Sequence, residues 1–428
     1  MKKIIIRKAY FSLTIASLIV GFLATVLGYT LKKITAAMEE HILEHIQHSP
    51  ILYIMMPSIG ITIIYFLRKY LFKGKKNKGI AEIFHTLEHR KDELPLYKIP
   101  SHYINGFFTV IFGGSTGIEV STVVATAAIG ASAKRKNSVA NTYKTELICA
   151  GVAAGITTLF GSPIAGLLFS IEVISRKVTK TILLSTLIAV TVSWIFVHFF
   201  DAQPLFNATV FLWNYEALPF MGLLSILAGI CAVYFTRSVI FIKTQFSRIE
   251  NNFIRVNLGA LLVGVAIMCL PALYGDSYHS FAIFLAPDHY ESLTSGMLYT
   301  LLLVILLKPL VASLTLGAGG DGGVFAPSIV TGALLGVLIA VSCNHLLGTH
   351  LIILNFAVIG AAAMLSAAIH APLTALFLAC NLVVGGYTLF IPLVIGVFIS
   401  NYMAKHLCAY NVYTYQRKPE KIFSNSSF

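Results

Sequence analysis

Charge is what this sequence has little of. Only 11% of its 428 residues are Asp, Glu, Lys or Arg, against 57% hydrophobic ones, and its mean hydropathy is +0.81. A soluble domain carries roughly 25% charge, so this scarcity excludes a water-soluble globular protein and implies a chain that crosses a membrane repeatedly. Cysteine pairs are also missing. Cys149, Cys231, Cys269, Cys343, Cys380 and Cys408 stand singly in apolar surroundings with no CxxC spacing, which excludes a disulfide framework and a cysteine metal site. They read as small packing residues. Nor does any basic–aromatic face or nucleic-acid module accompany the net charge of +13, so nucleic acid is not an expected partner.

The positive charge is instead distributed as in a membrane protein. Met1-Lys-Lys-Ile-Ile-Ile-Arg-Lys8 precedes a long apolar run without a clear cleavage site, which reads as a retained first span with a cytoplasmic N-terminus. The loop His41–Pro50 is then expected outside. The cluster Arg68-Lys-Tyr-Leu-Phe-Lys-Gly-Lys-Lys-Asn-Lys78 returns to the cytoplasm of a plasma or inner membrane. Apolar runs fall near residues 10–31, 51–67, 145–172, 181–200, 218–241, 256–272, 296–316, 324–342, 351–384 and 388–404. Several are shorter than the roughly 20 residues of a full span. The runs at 145–172 and 351–384 are long and broken by Gly and Pro, so each is expected to hold two helices. Broken helices are tolerated in a membrane only where their ends line a cavity or bury against protein. The expected fold is all-α, with tilted and interrupted spans.

One stretch organises the rest. Phe112-Gly-Gly-Ser-Thr-Gly-Ile-Glu-Val-Ser-Thr-Val-Val-Ala-Thr-Ala-Ala-Ile-Gly130 opens with glycines and hydroxyls and continues as a helix with Glu119 in its first turn. A glycine-rich approach leaves helix-start N–H groups free for an anion, and an intramembrane carboxylate marks function. The second half repeats the pattern: Gly117–Gly130 matches Gly323–Gly336, and Ser162-Pro-Ile-Ala-Gly-Leu-Leu168 matches Ala371-Pro-Leu-Thr-Ala-Leu-Phe377. Gly/Pro-interrupted segments at matching places in two halves are the signature of a transporter with its site between them. The repeats run over about residues 10–200 and 216–410, with Asp201–Asn214 as the seam. Gly79–Glu88 reads as a short amphipathic helix, and Lys134-Arg-Lys136 marks the exit of the Glu119 helix. The tail after Ala409 leaves no room for a soluble regulatory domain, so the expectation is a single transmembrane domain over 1–428.

These residues resemble the CLC family of chloride channels and proton/chloride exchangers, whose signatures are G-S-G-I-P, G-[KR]-E-G-P and G-x-F-x-P. Gly323-Val-Phe-Ala-Pro327 matches the third fully, and Lys308–Gly323 leads into it as in the family. Gly117-Ile-Glu-Val-Ser121 matches the second at Gly and Glu, and Asn77-Lys-Gly-Ile-Ala81 the first at Gly-Ile. The resemblance implies an inverted-repeat homodimer embedded in lipid, with one path per subunit for chloride or a similar small anion, no cofactor, no metal and no enzymatic activity. It also implies anion contacts from backbone around Gly117, Ile118 and Glu119, from Gly323, Val324 and Phe325, and from the Tyr413 hydroxyl. Glu119 would gate: ionised it occupies an anion site, protonated it swings away.

Four positions need their own account. Lys78 replaces the family's anion-contacting serine. It is either the end of the basic run reaching to water or a cation at the inner mouth or central site, able to lock an inward-swung Glu119. Val173 stands where proton-coupled members commonly carry a relaying glutamate, which tilts the expectation toward channel-like conduction, with proton/chloride antiport as the alternative. Glu172 precedes it and should face elsewhere. Asp321 reads as a helix cap directed away from the path, and Lys308 as a functional, paired or snorkelling lysine.

Two other motifs define rival classes. Gly113-Gly-Ser-Thr-Gly117 fits the hydrolase elbow, which needs a preceding strand, and His41-Ile-Leu-Glu-His45, with His48 nearby, fits an inverted zinc-protease pattern. A solvated outer loop is the simpler reading of the latter. A membrane scaffold without transport would not need glycine-loaded helix starts in both halves.

Overall fold

The structure, a computed structural model, describes residues 2–46, 49–75, 77–88, 94–133, 143–284 and 295–415. Lys134-Arg-Lys136 and His48 lie outside the described residues. Among those described there are sixteen α-helices. The first half holds α1 (Lys2–Ile46), α2 (Pro50–Phe66), α3 (Ile80–Glu88), α4 (Lys98–Ile111), α5 (Glu119–Ser132), α6 (Lys144–Phe160), α7 (Pro163–Phe169) and α8 (Lys180–Phe200). The second holds α9 (Leu218–Ser247), α10 (Asn252–Cys269), α11 (Tyr278–Phe284), α12 (Ser295–Ala318), α13 (Phe325–Leu347), α14 (Ile353–Ile369), α15 (Pro372–Ala379) and α16 (Phe390–Leu407). Among the described residues each half therefore holds eight helices.

Local chemistry sets many of the boundaries. Proline stands in the first turn of α2, α7, α9 and α15, where its missing N–H costs nothing. Ser162, Thr179 and Asn251 cap α7, α8 and α10 through their side-chain oxygens, satisfying first-turn N–H groups. Gly161, at φ +62°, ends α6 in the left-handed conformation, and His370 ends α14 at φ +55° in the corresponding place. As expected, the two long broken runs each become a helix pair, split at Gly161–Ser162 and at His370–Ala371.

The first span is longer than the sequence pattern suggests. α1 continues through His41 and His45 to Ile46, so the expected outer loop His41–Pro50 is replaced by helix up to that point. Ala36, Ala37, Met38, Glu39, Glu40 and Leu43 are strong helix formers, and polarity alone does not end a helix.

Among the described residues, eight helices are long and apolar enough to cross a membrane. The helices nearest the centre are not all among them. α5 has 14 residues, about 21 Å at the usual rise, against a hydrocarbon core of about 30 Å. Every residue from Glu119 to Ala131 is buried, so α5 starts and ends inside protein.

The matched glycines of the repeat have matched packing roles. α5 lies against α6, and α13 against α14. A Cβ on Gly130 would sit 2.1 Å from the Leu147 carbonyl oxygen, and one on Gly336 would sit 2.0 Å from that of Phe356. Both helix pairs therefore cross at backbone contact, which only glycine permits and which close packing in a membrane rewards.

Candidate functional site

Between α4 and α5 the chain makes the loop Gly113–Ile118, and between α12 and α13 the loop Gly319–Val324. The two loops lock together. Gly117 and Gly323 form an antiparallel bridge, the Ser115 N–H donates to Thr315 Oγ1 at 3.1 Å, and the Asp321 N–H donates to Thr109 Oγ1 at 2.9 Å. α5 and α13 begin at this crossing with their first-turn N–H groups unused by the helix. Ile118 and Val324 are the residues before them. The structure thus brings together Gly117, Ile118, Glu119, Gly323, Val324 and Phe325, as anticipated. Phe325 is wedged between Phe160 and Phe169, at centroid distances of 6.4 and 5.5 Å.

The Glu119 carboxylate folds back over this crossing. Its two oxygens lie 2.0 and 2.6 Å from where a Cβ on Gly117 would be, with the Ala326 methyl at 2.7 Å from the same point. Only glycine leaves that space. Glu119 is 3% exposed. Its Oε1 accepts a hydrogen bond from the Tyr278 hydroxyl at 2.9 Å, while Oε2 has no partner among the described residues. Nothing in the sequence pointed to Tyr278, which belongs to no motif and reaches the site from 159 residues away.

Tyr413 is buried with its hydroxyl unpartnered among the described residues. It lines a cavity of about 280 Å³ together with Gly323, Val324, Asp321 and four cations, Arg68, Lys78, Lys243 and Arg255. Lys78 is exposed there, at the mouth rather than in the crossing, and no ion pair joins it to Glu119 among the described residues. Its backbone N–H donates to the Glu82 carboxylate, which also receives Lys98 Nζ at 2.8 Å.

Asp321 is not a helix cap, contrary to expectation. Val324 precedes α13 with no side-chain cap, and the Asp321 carboxylate turns instead to His102 Nδ1 at 3.1 Å, Arg68 Nη2 at 3.8 Å and the Asn77 amide. Arg68, Lys243 and Arg255 line the same cavity, so the Asp321 carboxylate stands among cations. Lys308 does not snorkel. It is fully buried, and its ammonium donates to the Gly275 carbonyl at 2.9 Å and Ser277 Oγ at 2.6 Å.

Val173 is buried in a short π-helical turn, Ser170–Ser175, that extends α7. Glu172 faces away from it, as expected. Its carboxylate accepts from the Leu373 and Thr374 N–H groups and the Thr374 hydroxyl, closing the start of α15.

The rival motifs find no support in the geometry. Ser115 follows a helix rather than a strand, and its hydroxyl has no hydrogen-bond partner among the described residues. The rings of His41 and His45 lie 4.4 Å apart on exposed α1 turns, and no cluster of three His, Cys, Asp or Glu that could hold a metal occurs among the described residues.

Comparison with known proteins gives a consistent result. Residues 59–405 match the family described as voltage gated chloride channel. The chain is 27% identical over 371 residues to a chloride channel protein described as ClcB-like from Ralstonia nicotianae, covering 82% of each. It is 26% identical over 422 residues to the H(+)/Cl(-) exchange transporter ClcA of Cronobacter sakazakii, covering 92% of this chain and 86% of that one. Among solved structures, a CLC-type fluoride/proton antiporter superposes with a TM-score of 0.77 at 23% identity, covering 94% of this chain and 97% of that one. A slow cyanobacterial Cl-/H+ antiporter gives 0.78 at 22% identity, covering 94% and 96%. These two likenesses establish the fold.

Proposed function

Because the chain belongs to the voltage-gated chloride channel family and is an integral, multi-pass anion transporter of the CLC type, we propose that it exchanges chloride, or a similar small anion, for protons, with Glu119 as the gate. The observation that carries this reading is the carboxylate folded over Gly117 where the two glycine loops cross. A carboxylate there stands in for the transported anion. Two unit charges about 4 Å apart repel by about 4 kcal/mol at an effective dielectric of 20, so carboxylate and anion exclude one another about a thousandfold. Protonation removes the charge, the side chain leaves, and the anion takes its place. One group then both competes with the anion and carries the proton.

In this reading the anion is held by N–H groups of Ile118, Glu119, Val324 and Phe325 and by the Tyr413 hydroxyl, while Lys78 acts in the cavity mouth with Arg68, Lys243 and Arg255. The mouth faces the cytoplasm of a plasma or inner membrane, as does the N-terminus. The two halves form the inverted repeats of a single domain, and the working unit is a homodimer in lipid that needs no cofactor.

Sequence alone tilted toward uncoupled conduction, and a relative matched over 92% of this chain, called an exchange transporter, supports the other reading. Val173 keeps the channel reading as the alternative. Chloride efflux from proteoliposomes with external pH recorded in the same vessel separates the two. The expected result is proton uptake that tracks chloride efflux and disappears in Glu119→Gln while chloride still moves. Chloride efflux without proton movement in the unmodified protein selects conduction, and no anion flux at all overturns both.

A further inference from the structure

The hydroxyl of Tyr278 is the side-chain donor bonded to the Glu119 carboxylate. We propose that Tyr278 is a positioning residue of the gate: it holds the ionised Glu119 carboxylate in the anion site and so sets the acidity at which the gate lets go. This rests on the reading of Glu119 as the gate.

The case is in how Tyr278 is held. The turn Pro271–Tyr278 carries Ser277 at φ +66°, a conformation that costs a non-glycine residue and persists only where its surroundings over-determine it. They do so here. Ser277 Oγ donates to the Ala272 and Tyr274 carbonyls at 2.7 and 3.1 Å and accepts from Lys308 Nζ of α12. The Tyr274 hydroxyl donates to the Ile111 carbonyl at the end of α4 at 2.6 Å. Glu39 of α1 accepts the Asp276 N–H at 3.3 Å, and the Asp276 carboxylate accepts the Tyr278 N–H at 2.8 Å. Phe206 stands edge-on to the Tyr278 ring, with centroids 5.8 Å apart. Three helices and the seam between the halves therefore fix one phenol in front of one carboxylate.

A ring serving only to pack would not need its oxygen there. Here the oxygen meets the one carboxylate that must move. Among the described residues, the other ionisable groups near enough to feel the Glu119 charge are Asp276 in the same turn, Glu39 on α1, Lys308 on α12 and Tyr413 in the C-terminal segment. Of these groups, only Tyr278 donates a hydrogen bond to it. A phenol bonds more strongly to a charged carboxylate than to the neutral acid, so the bond favours the charged, seated form.

The test is the pH profile of chloride efflux for the unmodified protein, Tyr278→Phe, Glu119→Gln and the double variant. Tyr278→Phe keeps the ring and its packing on Phe206, and a melting temperature in detergent near that of the unmodified protein checks the fold. Losing a hydrogen bond to a charged group weakens the seated form by about 10- to 100-fold. The carboxylate then takes up its proton more readily, and half-maximal efflux moves up by about 1–2 pH units. In the Glu119→Gln background the same substitution changes nothing further. A Tyr278→Phe profile that overlays the unmodified one, or a change that persists undiminished without Glu119, overturns the proposal. If Glu119→Gln alone leaves the profile unaltered, the gate assignment itself fails.

Discussion

Replacing Lys308 by methionine removes a buried ammonium that ties α12 to the turn before Tyr278. Its side chain is fully buried, with the Gly275 carbonyl and Ser277 hydroxyl in its hydrogen-bonding reach. Methionine fills similar space, so a cavity is not the main cost. The cost is the Gly275 carbonyl and the Ser277 hydroxyl left buried without their donor, about 1–2 kcal/mol each. At 1.4 kcal/mol per factor of ten, the two together lower the folded population about a hundredfold. Thermal melting of the purified protein in detergent, followed by size-exclusion elution, reads the effect. A Lys308→Met protein that melts with the unmodified one would refute this reasoning and mean that water reaches the site.

Two further outcomes follow from geometry. Lys78→Ser removes one of four cations from the cavity mouth, so chloride flux should fall at low ionic strength and converge on the unmodified rate above about 0.5 M salt, where the Debye length drops below about 5 Å; equal salt dependence for the two proteins would place Lys78 outside the anion's approach. Gly360→Ala puts a methyl 2.1 Å from the Gly332 carbonyl and should destabilise by about 2 kcal/mol or more, whereas Gly222→Ala, with nothing within 4 Å, should stabilise by up to about 1 kcal/mol; equal melting temperatures for the pair would show that α13 and α14 yield.

The centre of the site was legible because it is built from backbone. Gly117, Gly323 and the prolines of α7 and α15 have to be what they are for helices to start inside protein, and such demands leave marks in sequence. The repeat was legible for the same reason, since Gly130 and Gly336 answer identical close approaches. Tyr278, by contrast, contributes a single oxygen held by tertiary contacts from α1, α4 and α12, and no local pattern encodes where a turn will aim a phenol. Asp321 was misread because its partners, His102, Arg68 and Asn77, are distant in sequence, and a short acidic side chain just before a helix normally signals a cap. Lys308 stayed open between a paired and a snorkelling lysine because snorkelling is judged from distance to an interface, which sequence alone does not supply.

The bridge between Gly117 and Gly323 has a consequence for how the chain is made. Its two loops are separated by about 200 residues, and at synthesis rates of about 5–20 residues per second the first waits some 10–40 s for the second. During that interval α5, too short to span and opening on bare N–H groups, has no partner for its polar end. The nascent first half is therefore a substrate for quality control until the second arrives. A chain halted in the 201–214 seam should be degraded rather than persist as a half-transporter.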